Sequence, residues 1–149
     1  MRALLAILLV GCTWSSSSDG DDDDAPRPSR PTTGQACRGD SACSSGELCA
    51  RTGTCLPVTQ IRVVHVLWTI GGAQADAATC TPAPDFTLGF RTSEGEGRLS
   101  YSPVPCELGK FTVDKLPTNY TQVRLTHKSE TETANVDVET GDAVFDLTL

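Results

Sequence analysis

Apolar and polar residues alternate along the chain from Ile61 onward, which is the pattern of strands that bury one face. In the first run one face carries Val64, Val66, Trp68 and Ile70. Six further runs alternate in the same way, on Phe86, Leu88 and Phe90; Leu99 and Tyr101; Phe111 and Val113; Val123 and Leu125; Ala134, Val136 and Val138; and Ala143, Phe145, Leu147 and Leu149. The pattern predicts seven strands over residues 61–149.

Turn-forming residues separate these runs, as at Gly71-Gly72 and Thr140-Gly141-Asp142. No stretch repeats apolar residues at helical spacing over three turns. Short strands at regular spacing favour an antiparallel sandwich of two sheets. Because Pro103 and Pro105 cannot donate to a strand ladder, we expect the third strand to end there or to lie at a sheet edge.

The segment from Lys110 to Leu125 carries a recognisable signature. Phe111-Thr112, Leu116-Pro117 and Tyr120 follow the pattern Phe-Thr-hydrophobic-x-x-Leu-Pro-x-Gly-x-Tyr, with one residue fewer before the tyrosine and Asn119 in place of glycine. This segment resembles the carboxypeptidase-regulatory-like or transthyretin-like sandwiches. The resemblance implies that residues 61–149 form a seven-stranded antiparallel immunoglobulin- or transthyretin-like β-sandwich.

The N-terminal segment has the features of an export signal. Arg2 precedes eight apolar residues at 3–10, and Gly11 and Cys12 follow them. Eight residues cannot span a bilayer as a helix, which needs about 20, so a signal peptide is expected. Leu9-Val10-Gly11-Cys12 resembles the bacterial lipobox, and the alternative is an ordinary signal peptide with a chance cysteine. The resemblance implies a lipoprotein signal peptide at 1–11 and lipidation, including palmitate, of Cys12.

Residues 12–36, which begin at the lipidated cysteine, have the composition of a linker. They contain four consecutive serines, an Asp-rich run at 19–24 and three prolines. Such a segment lacks the apolar residues needed to offset its ordering entropy, and like charges repel one another within it. We therefore predict a disordered tether. Thr13 stands where an Asp signals inner-membrane retention in enteric bacteria, which favours delivery to the outer membrane.

Four cysteines define a small module at 37–56. Cys37, Cys43, Cys49 and Cys55 lie six residues apart, a spacing that is a poor match to zinc knuckles. The module has almost no large apolar residues, so disulfides must hold it together, and four cysteines allow three pairings. Farther along the chain, the remaining cysteines Cys80 and Cys106 are expected to form a third disulfide that pins the connection before the second strand.

The spacing C-x5-C-x2-G-x2-C-x3-G-x-C places Gly46, Gly53 and Asp40 within the module. It resembles the short EGF-like and Dickkopf-like Cys-rich modules of myxobacterial-type envelope lipoproteins. The resemblance implies the interlaced pairing of Cys37 with Cys49 and of Cys43 with Cys55, and it implies no reaction. Arg38-Gly39-Asp40 also spells the tripeptide that integrins bind, and we interpret it as a coincidental solvated loop.

Composition restricts the function further. The 149 residues carry 19 Asp and Glu against 12 Lys and Arg, a formal charge of −7, which argues against a nucleic-acid partner. His65 and His127 are isolated, and we interpret both as structural residues. No nucleophile elbow, P-loop, zinc-protease or dinucleotide-binding motif is present. We therefore expect no enzymatic activity, no catalytic residues, no cofactor and no metal.

The combined features lead to one leading hypothesis and one alternative. The leading hypothesis is a lipid-anchored envelope lipoprotein that acts as a non-catalytic binding or adhesion module for a protein or a glycan. The alternative is a structural accessory subunit of a larger envelope complex with no ligand of its own. In both, the N-terminal lipid holds the protein to a membrane of the cell envelope, with the outer membrane favoured.

Overall fold

The computed structural model describes residues 34–95 and 99–149, so Cys12, the expected signal peptide and most of the expected linker lie outside the described residues. The described residues form strands and three short 3₁₀ turns. The strands are β1 (Glu47–Cys49), β2 (Cys55–Pro57), β3 (Ile61–Ile70), β4 (Ala73–Gln74), β5 (Asp85–Thr92), β6 (Leu99–Pro105), β7 (Lys110–Pro117), β8 (Tyr120–His127), β9 (Glu130–Asn135) and β10 (Asp142–Leu147). The prediction of a mainly β protein is confirmed.

The prediction of seven strands is wrong, because the described residues form ten. Two of the additional strands, β1 and β2, lie in the Cys-rich module, and the third, β4, follows the Gly71-Gly72 turn. These three strands are two or three residues long. Alternation cannot reveal strands that short, since a period of two needs several residues to become visible.

The strands form two large sheets and one small ribbon. In the first large sheet β3 pairs with β10, with β7 and, at its end, with β4; the second has the order β6-β5-β8-β9. The pair β1-β2 forms the ribbon of the Cys-rich module. Strand β6, which contains Pro103 and Pro105, lies at an edge, as expected from the missing donors.

The prediction of a wholly antiparallel arrangement is also wrong. Strand β10 runs parallel to β3, with Asp142 opposite His65 and Leu147 opposite Ile70. The chain leaves β9 in the second sheet and crosses to the first sheet before β10 begins, so no tight hairpin fixes the direction of this pair. Alternation is the same in parallel and antiparallel strands and therefore carries no information about this choice.

The apolar faces of the two large sheets pack against each other in one core. Trp68 of the first sheet lies edge-on to Phe86 of the second, with ring centroids 5.7 Å apart. Six of the predicted inward residues of β3 and β5 are buried in this core, and Ile70 is partly buried against it: Val64, Val66, Trp68, Phe86, Leu88 and Phe90 are the buried six. Val138, which was predicted to share the face of Ala134, is instead 82% exposed. It lies beyond the end of β9, where the Asp137 carboxylate accepts the backbone N–H groups of Glu139 and Thr140 and turns the chain.

Gly141, in the segment that connects β9 to β10, lies against the start of β3. Its φ is +78°, and a Cβ built there would lie 2.5 Å from the Val63 carbonyl oxygen. No other residue fits this combination of left-handed backbone and close approach. The Gly141 carbonyl in turn accepts the His65 N–H at 3.0 Å.

Near the opposite end of β3, a disulfide joins the connection before β5 to the turn that follows β6. Cys80 and Cys106 are bonded, as expected, and both are buried. The Trp68 indole Nε1–H donates to the Cys106 carbonyl at 2.7 Å, and the Cys106 N–H donates to Pro84 at 2.8 Å. The bridge therefore holds the connection before β5 against the largest side chain of the core.

Candidate functional site

The Cys-rich module is held by two interlaced disulfides. Cys37 is bonded to Cys49 and Cys43 to Cys55, which is the pairing that the resemblance implies. The sulfur atoms of Cys37, Cys43 and Cys55 lie within 4.8 Å of one another. Because each sulfur is in a disulfide, none offers the thiolate that a metal ion would bind.

A bulge in β7 directs two charged residues toward this module. Val113 pairs with Val64 and Leu116 with Arg62, so Asp114 and Lys115 together lie opposite a single residue of β3. Lys115 has a φ of 51°, a left-handed conformation that costs a residue with a side chain about 1–2 kcal/mol. Bulges re-aim side chains, and here the effect is to aim this pair at the Cys-rich module.

Two ion pairs join the module to the bulge, and we call them the clamp. The Arg51 guanidinium donates to the Asp114 carboxylate, with Nε 2.8 Å from Oδ1, and Lys115 Nζ donates to Asp40 Oδ2 at 2.6 Å. The Arg51 N–H also donates to the Lys115 carbonyl at 3.0 Å. Half-exposed ion pairs add little stability individually. Their geometry instead sets the orientation of the module on the β domain.

Asp40 is held by the clamp rather than left free in a solvated loop. Its second oxygen, Oδ1, accepts the Cys49 N–H at 3.0 Å. The hydrogen bond from Lys115, and next the one from Cys49, lower the pKa of Asp40 below the usual 3.8. The carboxylate of the Arg38-Gly39-Asp40 tripeptide is therefore engaged inside the protein.

We expect the Asp40 contact to be lost only in acid. Because the folded-state pKa is lowered, the contact stabilises the fold above pH 3.8 and is lost as the pH falls through the folded-state pKa. The Cys49 amide resonance, followed by NMR against pH, should therefore titrate with a midpoint below 3.8. Asp40→Asn should abolish that titration, and a wild-type midpoint at or above 3.8 would contradict the clamp.

A groove lies between the module and two loops of the β domain. The groove has a volume of about 570 Å³. The module contributes Thr52, Thr54 and Leu56, and Gln60 lies between the module and the domain. The two loops and the strand ends that flank them contribute Thr92, Ser93, Glu94, Pro117, Thr118, Asn119 and Tyr120. We call this feature the groove.

The groove offers hydrogen-bonding groups beside a small apolar surface. Five of its residues carry hydroxyl groups on Thr or Ser, Gln60 and Asn119 carry amides, and Glu94 is the single acid. Beneath it, the half-buried Arg62 donates to the Tyr120 carbonyl at 2.7 Å, and burial lowers the pKa of Arg62 below its usual value. This combination suits the recognition of a polar ligand by hydrogen bonds.

The two histidines lie in different places and do not form a cluster. His65 is exposed on the first sheet, where its Nδ1 lies 3.0 Å from the Thr112 hydroxyl. His127 is buried at the end of β8, with its ring 6.0 Å from that of Phe86. Within the described residues His127 Nε2 has no hydrogen-bond partner, and Glu130 Oε2 lies 3.8 Å away.

Sequence reasoning did not find the groove or the clamp. Asp40 and Lys115 are 75 positions apart, and no local pattern marks either as a contact residue. The one available signal was the accumulation of Thr, Asn and Pro in turns at both ends of the predicted strands. That signal indicates loops, but it does not show which loops meet.

In the part that the structure describes, no helix is long and apolar enough to cross a membrane. Compared with models of protein families, with curated proteins and with solved structures, the chain matches none.

Proposed function

We propose that the protein is a lipid-anchored cell-envelope lipoprotein that binds a protein or a glycan without catalysis. The anchor is proposed from the lipobox-like Leu9-Val10-Gly11-Cys12, with the mature chain beginning at a lipidated Cys12 in the outer membrane. Three disulfides support an exported protein, because disulfides persist in oxidising compartments. The Cys-rich module and the β domain would then present the binding surface away from the membrane.

We infer that the β domain is a sandwich of the immunoglobulin or transthyretin type. Two four-stranded sheets share one apolar core, and Trp68 and Phe86 meet across it. The parallel pair of β3 and β10 is a departure from the seven-stranded antiparallel pattern. In sandwiches of this class, loops at one end commonly carry the binding surface, and the groove lies between two such loops and the module.

The groove is the observation that carries the proposed function. Hydroxyl and amide groups are uncharged, so they form hydrogen bonds without the cost of removing water from a charge. They can both donate to and accept from sugar hydroxyls or a peptide backbone. Leu56 and Pro117 add an apolar patch that such a ligand could cover. The clamp joins the module to β7, which ends at Pro117 in the groove, and a preformed site loses less entropy when its ligand binds.

A capture experiment with two tryptophan variants tests this function. The lipidated full chain in detergent serves as bait for solubilised envelope proteins and glycans. Asn119→Trp fills the groove from an exposed position and should reduce capture of the ligand at least tenfold. Val138→Trp, at a site 82% exposed and outside the groove, should capture as much as the wild type. Equal capture by all three proteins, or no specific capture by the wild type, would contradict the proposal.

The alternative, an accessory subunit of a larger complex, has one observation in its favour. The outer face of the first sheet exposes Val63 and Val144, which are 45% and 65% exposed. Apolar residues on a free sheet face suit a protein contact. A single stoichiometric protein captured equally by Asn119→Trp and the wild type would favour this alternative.

A further inference from the structure

The outer face of the second sheet has an unusual set of side chains, and we call it the polar sheet face. Strands β5, β6, β8 and β9 turn their apolar residues into the core, so the intervening residues face outward. These outward residues form three rows across the sheet. The rows are Ser102, Thr87, Thr126 and Thr131; Ser100, Gly89, Arg124 and Thr133; and Arg91, Gln122 and Asn135.

The three rows contain no carboxylate, although the chain as a whole has a net charge of −7. Their charged side chains are Arg91 and Arg124, and the nearest acid on the same strand face is Asp85, one row beyond. Arg124 forms no ion pair in the part of the chain that the structure describes. Arg124 is therefore a cationic side chain on a face whose three rows carry no acid.

Strand β9 shows that the acids are segregated from this face. In its sequence Glu130-Thr131-Glu132-Thr133, the threonines lie in the rows and the glutamates point to the opposite side of the sheet. Exposed sheet faces normally mix Lys or Arg with Glu or Asp, because opposite charges pair across strands. An ordinary solvated face does not require this one-sided distribution.

The surface is flat and partly preorganised. Hydroxyl groups pair across the strands, with 2.9 Å between Thr87 Oγ1 and Ser102 Oγ and 3.0 Å between Thr126 Oγ1 and Thr131 Oγ1. Gly89 leaves a shallow depression of about 250 Å³ in front of Arg124. A side chain at this position would begin in contact with the Arg124 Cβ, at 4.0 Å, and would fill the depression.

The chemistry of the polar sheet face selects an acidic sugar polymer. Arginine forms paired hydrogen bonds with carboxylate or sulfate groups, and the hydroxyl and amide rows can bond sugar hydroxyls. Both described tyrosines and Trp68 lie in or against the core, so the rows offer no aromatic platform for stacking a neutral sugar. Charge and hydrogen bonds must therefore supply the affinity.

We propose that the polar sheet face binds an anionic polysaccharide, with Arg124 as the principal contact to its carboxylate or sulfate groups. The proposal goes beyond the proposed groove function by naming a second ligand class, and it does not depend on whether the groove binds a ligand. It places this ligand on a surface separate from the groove. The depression at Gly89 lies beside Arg124 and extends the contact along the sheet.

Binding of defined polymers to the full chain tests the proposal. Polygalacturonate supplies carboxylates, dextran sulfate supplies sulfates, and unmodified dextran is the neutral control. We expect at least one anionic polymer to bind, dextran not to bind, and affinity to fall as salt is added. The preferred polymer identifies the acidic group. Equal binding to dextran, or binding to neither anionic polymer, overturns the proposal.

Paired variants locate the contact. Arg124→Ala should weaken binding by about tenfold to a hundredfold, the range expected for a charge-assisted hydrogen bond. Lys110→Ala removes the same charge from the first sheet and should leave affinity unchanged. Thr133→Glu places an acid beside Arg124 at an exposed edge position and should weaken binding at least as much, whereas Thr133→Gln should preserve it. If Arg124→Ala and Thr133→Glu bind like the wild type, the face is not the site.

Three outcomes distinguish a site on the polar sheet face from the groove and from a general anion surface. Asn119→Trp should leave polysaccharide affinity unchanged, so loss of envelope capture with retained polysaccharide binding would support two sites. If Asn119→Trp loses envelope capture while no anionic polymer binds, the groove function stands and the sheet-face proposal fails. If single-stranded DNA binds as tightly as either polymer, the face is a general anion surface and the proposal is overturned.

Discussion

Replacing Cys80 and Cys106 together by alanine is expected to lower the free energy of unfolding by about 3.5 kcal/mol, because the unfolded chain is no longer closed into a loop. The two cysteines are 26 positions apart, and both are buried. Chemical denaturation of oxidised wild type and variant, followed by the fluorescence of Trp68, would measure the change. Trp68 is a suitable probe because its indole donates to the Cys106 carbonyl.

The control for this prediction is Glu107→Ala, an exposed substitution next to Cys106. Such a surface change should alter the free energy of unfolding by no more than about 0.5 kcal/mol. A loss of less than about 1 kcal/mol in the double cysteine variant would show that native packing alone positions the connection before β5, since the entropy of loop closure would then contribute little.

Cys12→Ala is expected to abolish membrane retention entirely. In the proposed lipoprotein the cysteine carries the lipid chains, and each buried CH₂ contributes about 0.8 kcal/mol to membrane binding. Intact mass spectrometry should show a wild-type chain beginning at Cys12 with added acyl mass, and the variant should lack that mass. In a detergent phase partition the wild type should enter the detergent phase and the variant the aqueous phase.

Thr13→Ala is the matched control for the anchor, because it changes the neighbouring residue and leaves the lipidated thiol in place. It should keep the acyl mass and the partition of the wild type. An unchanged mass and partition in Cys12→Ala would exclude the proposed lipid anchor, and the groove and the polar sheet face would then be properties of an exported protein held in some other way.

The long strands could be predicted from the sequence because their signal is local. Val64, Val66 and Trp68 are buried, whereas His65 between them is exposed and Leu67 is half-buried. Alternation depends only on which side of a strand each residue faces, so it survives without knowledge of the partner strand. The disulfide between Cys80 and Cys106 was predictable for a different reason, since two cysteines remained once the module and the lipobox-like Cys12 were set apart.

The relations between strands could not be predicted in the same way. The parallel direction of β10 depends on where the chain crosses between sheets, and the exposure of Val138 depends on the turn made by Asp137. The clamp joins residues that are even farther from any local pattern. It requires a bulge in which Lys115 adopts the left-handed conformation that glycine usually occupies. No rule of local propensity selects a lysine there.

The pairing of β3 with β10 has a consequence for how the protein is made. Thr69 Oγ1 lies 2.8 Å from Asp146 Oδ1, and the two residues are 77 positions apart in the sequence. The sheet that contains β3 is therefore complete only when β10 has paired with it. Contacts this distant in sequence form late, because the loop between them must first close. During synthesis this sheet therefore stays incomplete until β10 has been made. For a protein that we propose is exported, that delay keeps the chain in the unfolded form that can still be threaded through a translocation channel.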